Sequence, residues 1–495
     1  MDALKRVFGT APARTPPPPV ETDDVYPVHM LDDTGSLRGI VVTWTLRFND
    51  VLDAGKLHAS LSKLLDVGDW RKVGGRLRLK DNGELEIYVP RPFTAERPAV
   101  TYSHQALAMD IEGHPLAKTL PKATETASIQ AGPADFRAFA AREGAPETLE
   151  DFIYSDTPQL SLHITSFHDA TLVALSWPHT LMDVMGQQAL LHAWALVVAG
   201  READVPPMLG AREDAVCAAA DASAEKEEFK MGRLRLKGWA MLVFGLRFAW
   251  DLLWNQVVET RSVYLPKSVV AGLRRQAEDD MVAADGGEKP FVSDGDVLTA
   301  WATRCIASAL PQPRPVTLLH VVNARFRLPS LIQAPGVFVQ NMAVAAFTFL
   351  SPVVATGPLG PSALENRRHL MEQATEGQIL AFLRELQGES KAGSDPSMVC
   401  GGSDALLIPF TNWTRAGIFK TADFAAAVLR AGETGPTRTN APGTIVFHHA
   451  QSMRTTAVVR NVVVLLGKDH NDGYWMTGVL LPATWAKFEE EIKKM

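Results

Sequence analysis

Cysteine is scarce in this chain. Cys217, Cys305 and Cys400 are its 3 cysteines in 495 residues, and they lie far apart. They form no CxxC pair and no Cys/His ligand spacing, which argues against structural zinc and against a disulfide framework. A reducing, cytoplasmic setting fits that usage. Excess basic charge is missing as well. Lys and Arg number 49 against 56 Asp and Glu, for a formal charge of -7, and no Lys/Arg-rich run stands out. That removes the electrostatic footprint of a nucleic-acid binder. GxSxG, P-loop, GxGxxG and HExxH motifs are all absent. No metal and no nucleotide redox cofactor is therefore expected.

Long apolar runs are also lacking, with one near exception. Gly238 to Trp254 reads GWAMLVFGLRFAWDLLW, but Arg247 and Asp251 interrupt it. Charges inside lipid are costly, so a buried or half-buried helix is expected rather than an integral span. Peripheral membrane contact stays open. Met1 to Gly9 lacks the apolar core of a secretory signal, and the last residues match no peroxisomal or retention signal. The proline run Pro16 to Pro19 should be extended.

A chain this long exceeds what one hydrophobic core usually supports, so two domains are expected. Ile40 to Phe48 alternates as a half-buried strand, and Leu57, Leu61, Leu64 and Leu65 follow at helical spacing. Leu85 to Val89 and Leu160 to Ile164 read as further strands. Residues 112–148 read as surface chain. Pro206-Pro207, an Ala-rich patch and the acidic Glu225, Glu227 and Glu228 read as a crossover linker. Ser293 and Asp296 form a capping-box pattern ahead of a helix with Val297, Leu298, Trp301 and Ile306. Val316 to Val322, Val337 to Phe349, Thr444 to Phe447 and Val458 to Leu466 are candidate strands, and Ala431 to Gly443 a loop. The class is α/β, with strands and helices mixed throughout. The expected division is a disordered segment at 1–20, an N-terminal domain at 21–205, a linker at 206–235 and a C-terminal domain at 236–495.

Chemistry concentrates in Trp177-Pro178-His179-Thr180-Leu181-Met182-Asp183-Val184-Met185-Gly186. This reads as strand, then HxxxDxxG, then helix. An imidazole at the exit of a buried strand is held rigidly and can face a cleft, and it is well matched to taking a proton near neutral pH. Gly186 would allow close backbone approach where the helix starts. Asp183 could orient His179 as in a triad. His448-His449 is a tandem pair with no Asp-Gly at the needed distance, and reads as a strand end with one exposed histidine.

The HxxxD stretch resembles the core motif of the BAHD acyltransferases and their fungal relatives, in the wider chloramphenicol acetyltransferase-like superfamily. Asn323-Ala324-Arg325-Phe326-Arg327, Gly336-Val337-Phe338-Val339-Gln340-Asn341 and Phe410-Thr411-Asn412-Trp413 resemble further family segments in the family's order. The resemblance spans nearly the whole chain. Asp423-Phe424-Ala425-Ala426-Ala427 departs from the family's DFGWG, which suggests a divergent, fungal-type member.

The resemblance implies two chloramphenicol acetyltransferase-like domains with an active-site tunnel at their interface. It implies acyl transfer from acetyl-CoA or another acyl-CoA to a hydroxyl, or an amine, on a small hydrophobic secondary metabolite, by a monomer. His179 would be the general base, with Trp413 and Thr411 as oxyanion donors. Asp183 would pair with Arg325 instead of orienting His179. Asn341 would be structural, and Asp423 would fix its loop by a salt bridge. Two alternatives remain. Condensation-type enzymes take their donor from a carrier protein, but usually have a second histidine where Pro178 stands. A catalytically inactive relative would act in regulation.

Overall fold

The computed structural model describes residues 14–224, 227–281, 290–395, 398–435 and 438–495. Residues 1–13 of the expected disordered segment and Glu225 of the expected linker lie outside the described residues. Arg14, next in line, pairs with Asp151 at 2.8 Å.

The apolar alternations of the sequence become the strands of two large sheets. In chain order these are β1 (Val41–Phe48), β2 (Thr101–Ala106), β3 (Ser128–Ala131), β4 (Ser161–Ser166), β5 (Thr171–Pro178) and β6 (Glu259–Leu265). There follow β7 (Val316–Asn323), β8 (Ala343–Leu350), β9 (Leu406–Asn412), β10 (Ile445–Ser452), β11 (Val462–Lys468) and β12 (Tyr474–Leu480). Helices α1 (Ala54–Leu64), α2 (Val184–Val198), α3 (Gly238–Trp254), α4 (Asp294–Ser308) and α5 (Glu376–Lys391) accompany them.

The first sheet runs β10-β1-β5-β4-β2, antiparallel except for the β4–β2 pair. The second runs β8-β7-β9-β11-β12-β6-β3, with β7–β9 and β9–β11 parallel. Each sheet thus takes in a strand from the other half of the chain. β10 edges the first sheet and β3 edges the second. This exchange gives the halves a shared core, in which Phe419, Phe424, Phe447 and Trp475 pack with Trp44, Leu61, Leu175 and Trp194.

All eight residues of β5 are buried, as its continuous apolar run requires. Leu57, Leu61 and Leu64 of α1 and Leu65 just past its end are fully buried. Asp53 caps that helix by accepting from the Lys56 N–H at 2.9 Å. Trp194 of α2 donates to the Leu57 carbonyl at 3.1 Å and so fixes α2 against α1. On α4 the Ser293/Asp296 capping box is present, and Trp301 sits in a second core with Phe488 and Trp485.

Three expectations change. The strand expected over Val337 to Phe349 is broken, with Val337–Phe338 pairing to Met208–Leu209 and β8 starting only at Ala343. The intervening residues cross toward the HxxxD turn. The expected linker holds a helix, Ala215–Ala222, whose Val216 and Ala220 pack with Phe382 and Leu383 of α5. Residues 112–148 are not all surface chain. Phe136 and Phe139 are buried there, and β3 lies in a sheet edge. Helix α3 takes the half-buried alternative: none of its residues is fully buried, and Ala240, Phe244, Phe248 and Leu252 are half-buried.

Candidate active site

His179 is the first residue past β5. Its N–H donates to the Ile40 carbonyl at 2.9 Å, continuing the sheet by one bond. A turn through Thr180 to Met182 leads to Asp183, the N-cap of α2. The strand therefore fixes where the imidazole starts, and the helix fixes where the turn must end.

Asp183 is spent on architecture. Its Oδ1 accepts from the N–H groups of Met185 at 3.0 Å and Gly186 at 2.9 Å. Its Oδ2 accepts from Arg325 Nη1 at 2.7 Å and from the Met342 N–H at 3.0 Å. Four donors on two oxygens leave no lone pair to orient the imidazole. Both partners of the ion pair are buried. Arg325 also donates to the carbonyls of Phe338 at 3.2 Å and of Gln340. One guanidinium thus ties the HxxxD turn to the crossing segment 338–340. Gly186 makes the approach feasible, because a Cβ there would collide with the Val339 carbonyl.

Asn341 holds the other side of the turn. Its Nδ2 donates to the His179 carbonyl at 2.9 Å and to Asp32 Oδ1 at 2.7 Å. Its own N–H donates to Asp32 at 2.7 Å. Burial raises the Asp32 carboxyl well above the usual carboxylate range, with the charge of buried Lys72 opposing. Asp32 was missed in the sequence. Nothing there separates it from Asp33, and only the fold brings residue 32 to residue 341.

The His179 imidazole is half-buried, and desolvation lowers its pKa below 6.5. Its own backbone carbonyl, the Asp183 charge and Asn341 partly oppose that shift. Nδ1 is buried without a well-aligned partner. The ring is neutral at pH 7, as a base must be.

Thr411 is the penultimate residue of β9, and Trp413 follows one residue beyond the strand. The Trp413 Nε1 donates to Thr411 Oγ1 at 3.1 Å. The indole hydrogen is thereby occupied, and the Thr411 hydroxyl hydrogen is the donor left over. A train of indoles links this pair to the HxxxD strand. Trp177 lies 6.4 Å from Trp44, and Trp44 lies 6.1 Å from Trp413, between ring centroids.

Two site expectations are corrected. Asp423 forms no ion pair among the described residues. It is exposed and accepts from the Ala425 N–H at 3.0 Å, a local turn bond. Phe424 anchors the loop instead, stacked on Phe48 at 5.6 Å and packed on Trp194 at 4.6 Å. The ion pair near this loop is Arg438 with buried Asp50, at 2.7 Å to each carboxylate oxygen. His448 and His449 are both fully buried in mid-strand, because β10 is covered on both faces. Two open cavities, of about 370 and 560 Å³, are lined by residues around Trp250 and around Arg430. Neither touches His179, and neither is the expected tunnel.

No family model matches the chain. Individual relatives do. O-acetyltransferase PaAT-2 of Phomopsis amygdali is 38% identical over 491 residues, covering 96% of this chain and 99% of the relative. A protein named transcriptional regulator calD, from Penicillium decumbens, is 35% identical and covers 99% of both chains. Among solved structures, F. sporotrichioides TRI101, complexed with coenzyme A and T-2, superposes with a TM-score of 0.68 at 15% identity. That match covers 95% of this chain and 98% of TRI101. The chain is an acyltransferase of the fungal acetyltransferase family of these relatives, and its fold is that of TRI101 and vinorine synthase.

Proposed function

We propose that the protein transfers an acyl group, acetyl in the simplest case, from acyl-CoA to a hydroxyl of a small hydrophobic secondary metabolite. The acetyltransferase names of relatives spanning nearly the whole chain support the donor and the reaction. The coenzyme A and the small toxin held by TRI101 support the pairing of substrates.

The observation that carries the reading is the held histidine. With Nδ1 buried, Nε2 is the ring nitrogen left to take the acceptor's proton. Attack forms a C–O bond at the thioester carbonyl and a negative oxygen. The Thr411 hydroxyl, oriented by the Trp413 indole, donates to that oxygen. Collapse breaks the C–S bond, and His179 returns the proton to the departing thiolate. A base of this kind contributes about 10²–10⁴-fold, and one oxyanion donor about 3–4 kcal/mol. Asp183, Arg325, Asn341 and Gly186 position the turn without touching substrate. In this reading two lobes, near 21–205 and 236–495 and joined by 206–235, face each other across the site in a cytoplasmic monomer.

The test is direct. Purified protein is incubated with acetyl-CoA, with and without apolar alcohols, and free CoA thiol is measured. Acceptor-stimulated thiol release that disappears in His179→Ala is the expected result. The name of calD favours a second reading, a regulatory relative without turnover. Complete inertness, with no thermal shift on adding CoA, would establish that reading and overturn the first.

A further inference from the structure

Helix α3 presents a surface that acyl transfer leaves unused. None of its 17 residues is buried. Trp239, Leu242, Leu246, Trp250 and Leu253 follow one another at spacings of three and four, which sets them in one stripe. They are 75, 50, 60, 61 and 66% exposed, and Trp254 beside them is 71% exposed. Isolated exposed apolar side chains need no explanation, but a continuous stripe marks an interaction surface.

The opposite face rests on the body. Ala240, Phe244, Phe248 and Leu252 are half-buried there. Asp251, the only acidic residue of the helix, also turns inward. Its Oδ2 accepts from Arg314 at 3.3 Å, and its carbonyl accepts from Arg460 at 3.1 Å. Arg460 also donates to the Asn255 carbonyl at 2.7 Å and so closes the helix end.

Charge decides the occupant. Lys237 and Arg247 are exposed beside the stripe, while Arg233, 84% exposed just ahead of it, lies 3.6 Å from the Glu228 carboxylate. This cationic rim stands out on a chain of charge -7. Tryptophans mark both ends of the helix, and an amphipathic indole suits the level of lipid headgroups. No described helix is long and apolar enough to cross a membrane, so the geometry on offer is a helix lying in the surface plane. A stripe-to-stripe pair of copies would set the two Arg247 side chains near each other, with no acid on either stripe to offset them.

We propose that α3 docks the protein on an anionic bilayer surface, its Trp–Leu stripe entering the headgroup boundary and Lys237 and Arg247 meeting lipid phosphates. The test is co-sedimentation of the full chain with vesicles of phosphatidylcholine alone or mixed with phosphatidylserine. Wild type is expected to pellet with the mixed vesicles, less with phosphatidylcholine alone, and to be released by high salt. The doubly exposed variant Leu246→Glu/Trp250→Glu should keep its melting temperature and lose at least about tenfold in partitioning. Wild type left in the supernatant, or a variant that pellets equally, overturns the proposal. So does equal binding to both vesicles without salt dependence. A lipid-free dimer that the variant makes monomeric overturns it in favour of a second copy.

Discussion

His179 and the pair His448-His449 make an instructive comparison. Burial lowers the basicity of all three imidazoles, the latter two to about 3. All three are neutral at pH 7, yet their surroundings differ. His448 accepts from Trp44 Nε1 at 3.0 Å and packs on Phe419, while His449 packs on Phe136 and Phe447. Both are sealed in mid-strand, where no substrate reaches. His179 stands one residue past its strand, half-exposed, with its N–H and its carbonyl both held. A neutral imidazole is required of a base, and in the proposed reaction it is the position at the strand exit that would give His179 a substrate.

The sharpest way to break this comparison is to truncate each histidine. His179→Ala should fold and lose turnover by about 10²–10⁴-fold. His448→Ala should do the reverse, because it leaves the Trp44 N–H unpaired beside a new cavity. Its expected loss is about 2–5 kcal/mol of stability, read as a lower melting temperature, with the rate of the folded fraction kept. Near-normal turnover in the first variant, or a rate loss at unchanged melting temperature in the second, would collapse the distinction. Asp183→Asn comes next. It leaves Arg325 buried without its counter-charge, at about 3–5 kcal/mol. Thermal unfolding should register that loss before turnover does. A normal melting temperature with a lost rate would return Asp183 to the orienting role.

Acid sharpens the contrast. An unfolded histidine takes its proton near 6.5, whereas folded His448 and His449 resist until about 3. Between those values the unfolded chain binds more protons, so stability falls as pH falls. The stability is fully present above 6.5 and declines at about 1.4 kcal/mol per pH unit for each histidine. For His179 the same sign applies to catalysis. The acid limb of kcat/KM should lie below 6.5, where its lowered pKa places loss of the free base. A limb at or above 6.5 would mean that the group being titrated is not a buried His179.

Local pattern carried much of this structure. The strand before His179, the α1 leucines and the Ser293 capping box were legible because each depends on neighbours a few residues away. What failed was set across the chain. One histidine of the pair His448-His449 looked exposed because the pair's cover, Trp44, Phe419 and Phe136, comes from elsewhere in the sequence. Asp423 looked ion-paired through the resemblance of its loop to DFGWG, whereas the fold anchors that loop by Phe424 and pairs Arg438 with Asp50. The Asp183–Arg325 bond was reached through resemblance alone, since no spacing rule connects residues 142 positions apart. The α3 stripe was visible as apolar sequence. Its exposure was not, because periodicity shows that a face exists and not what covers it.

The smallest predicted effect concerns how far His179 depends on its backbone. Asn341→Ala removes the donor to the His179 carbonyl and one of the two bonds to Asp32 Oδ1. The Asn341 N–H and the Asp183 cap remain, so the turn should persist with a looser imidazole. That predicts about a tenfold loss in kcat, equal to about 1.4 kcal/mol, with KM little changed. The acid limb should also move, because Asn341 is one of the groups that raise the His179 pKa. Without it the limb shifts to lower pH. A purely structural Asn341 would lower the melting temperature and leave both the limb and the kcat of folded enzyme where they were. A shifted limb with a lower kcat would show that the strand-exit histidine works only while its own carbonyl is held, a constraint that His448 and His449 never meet.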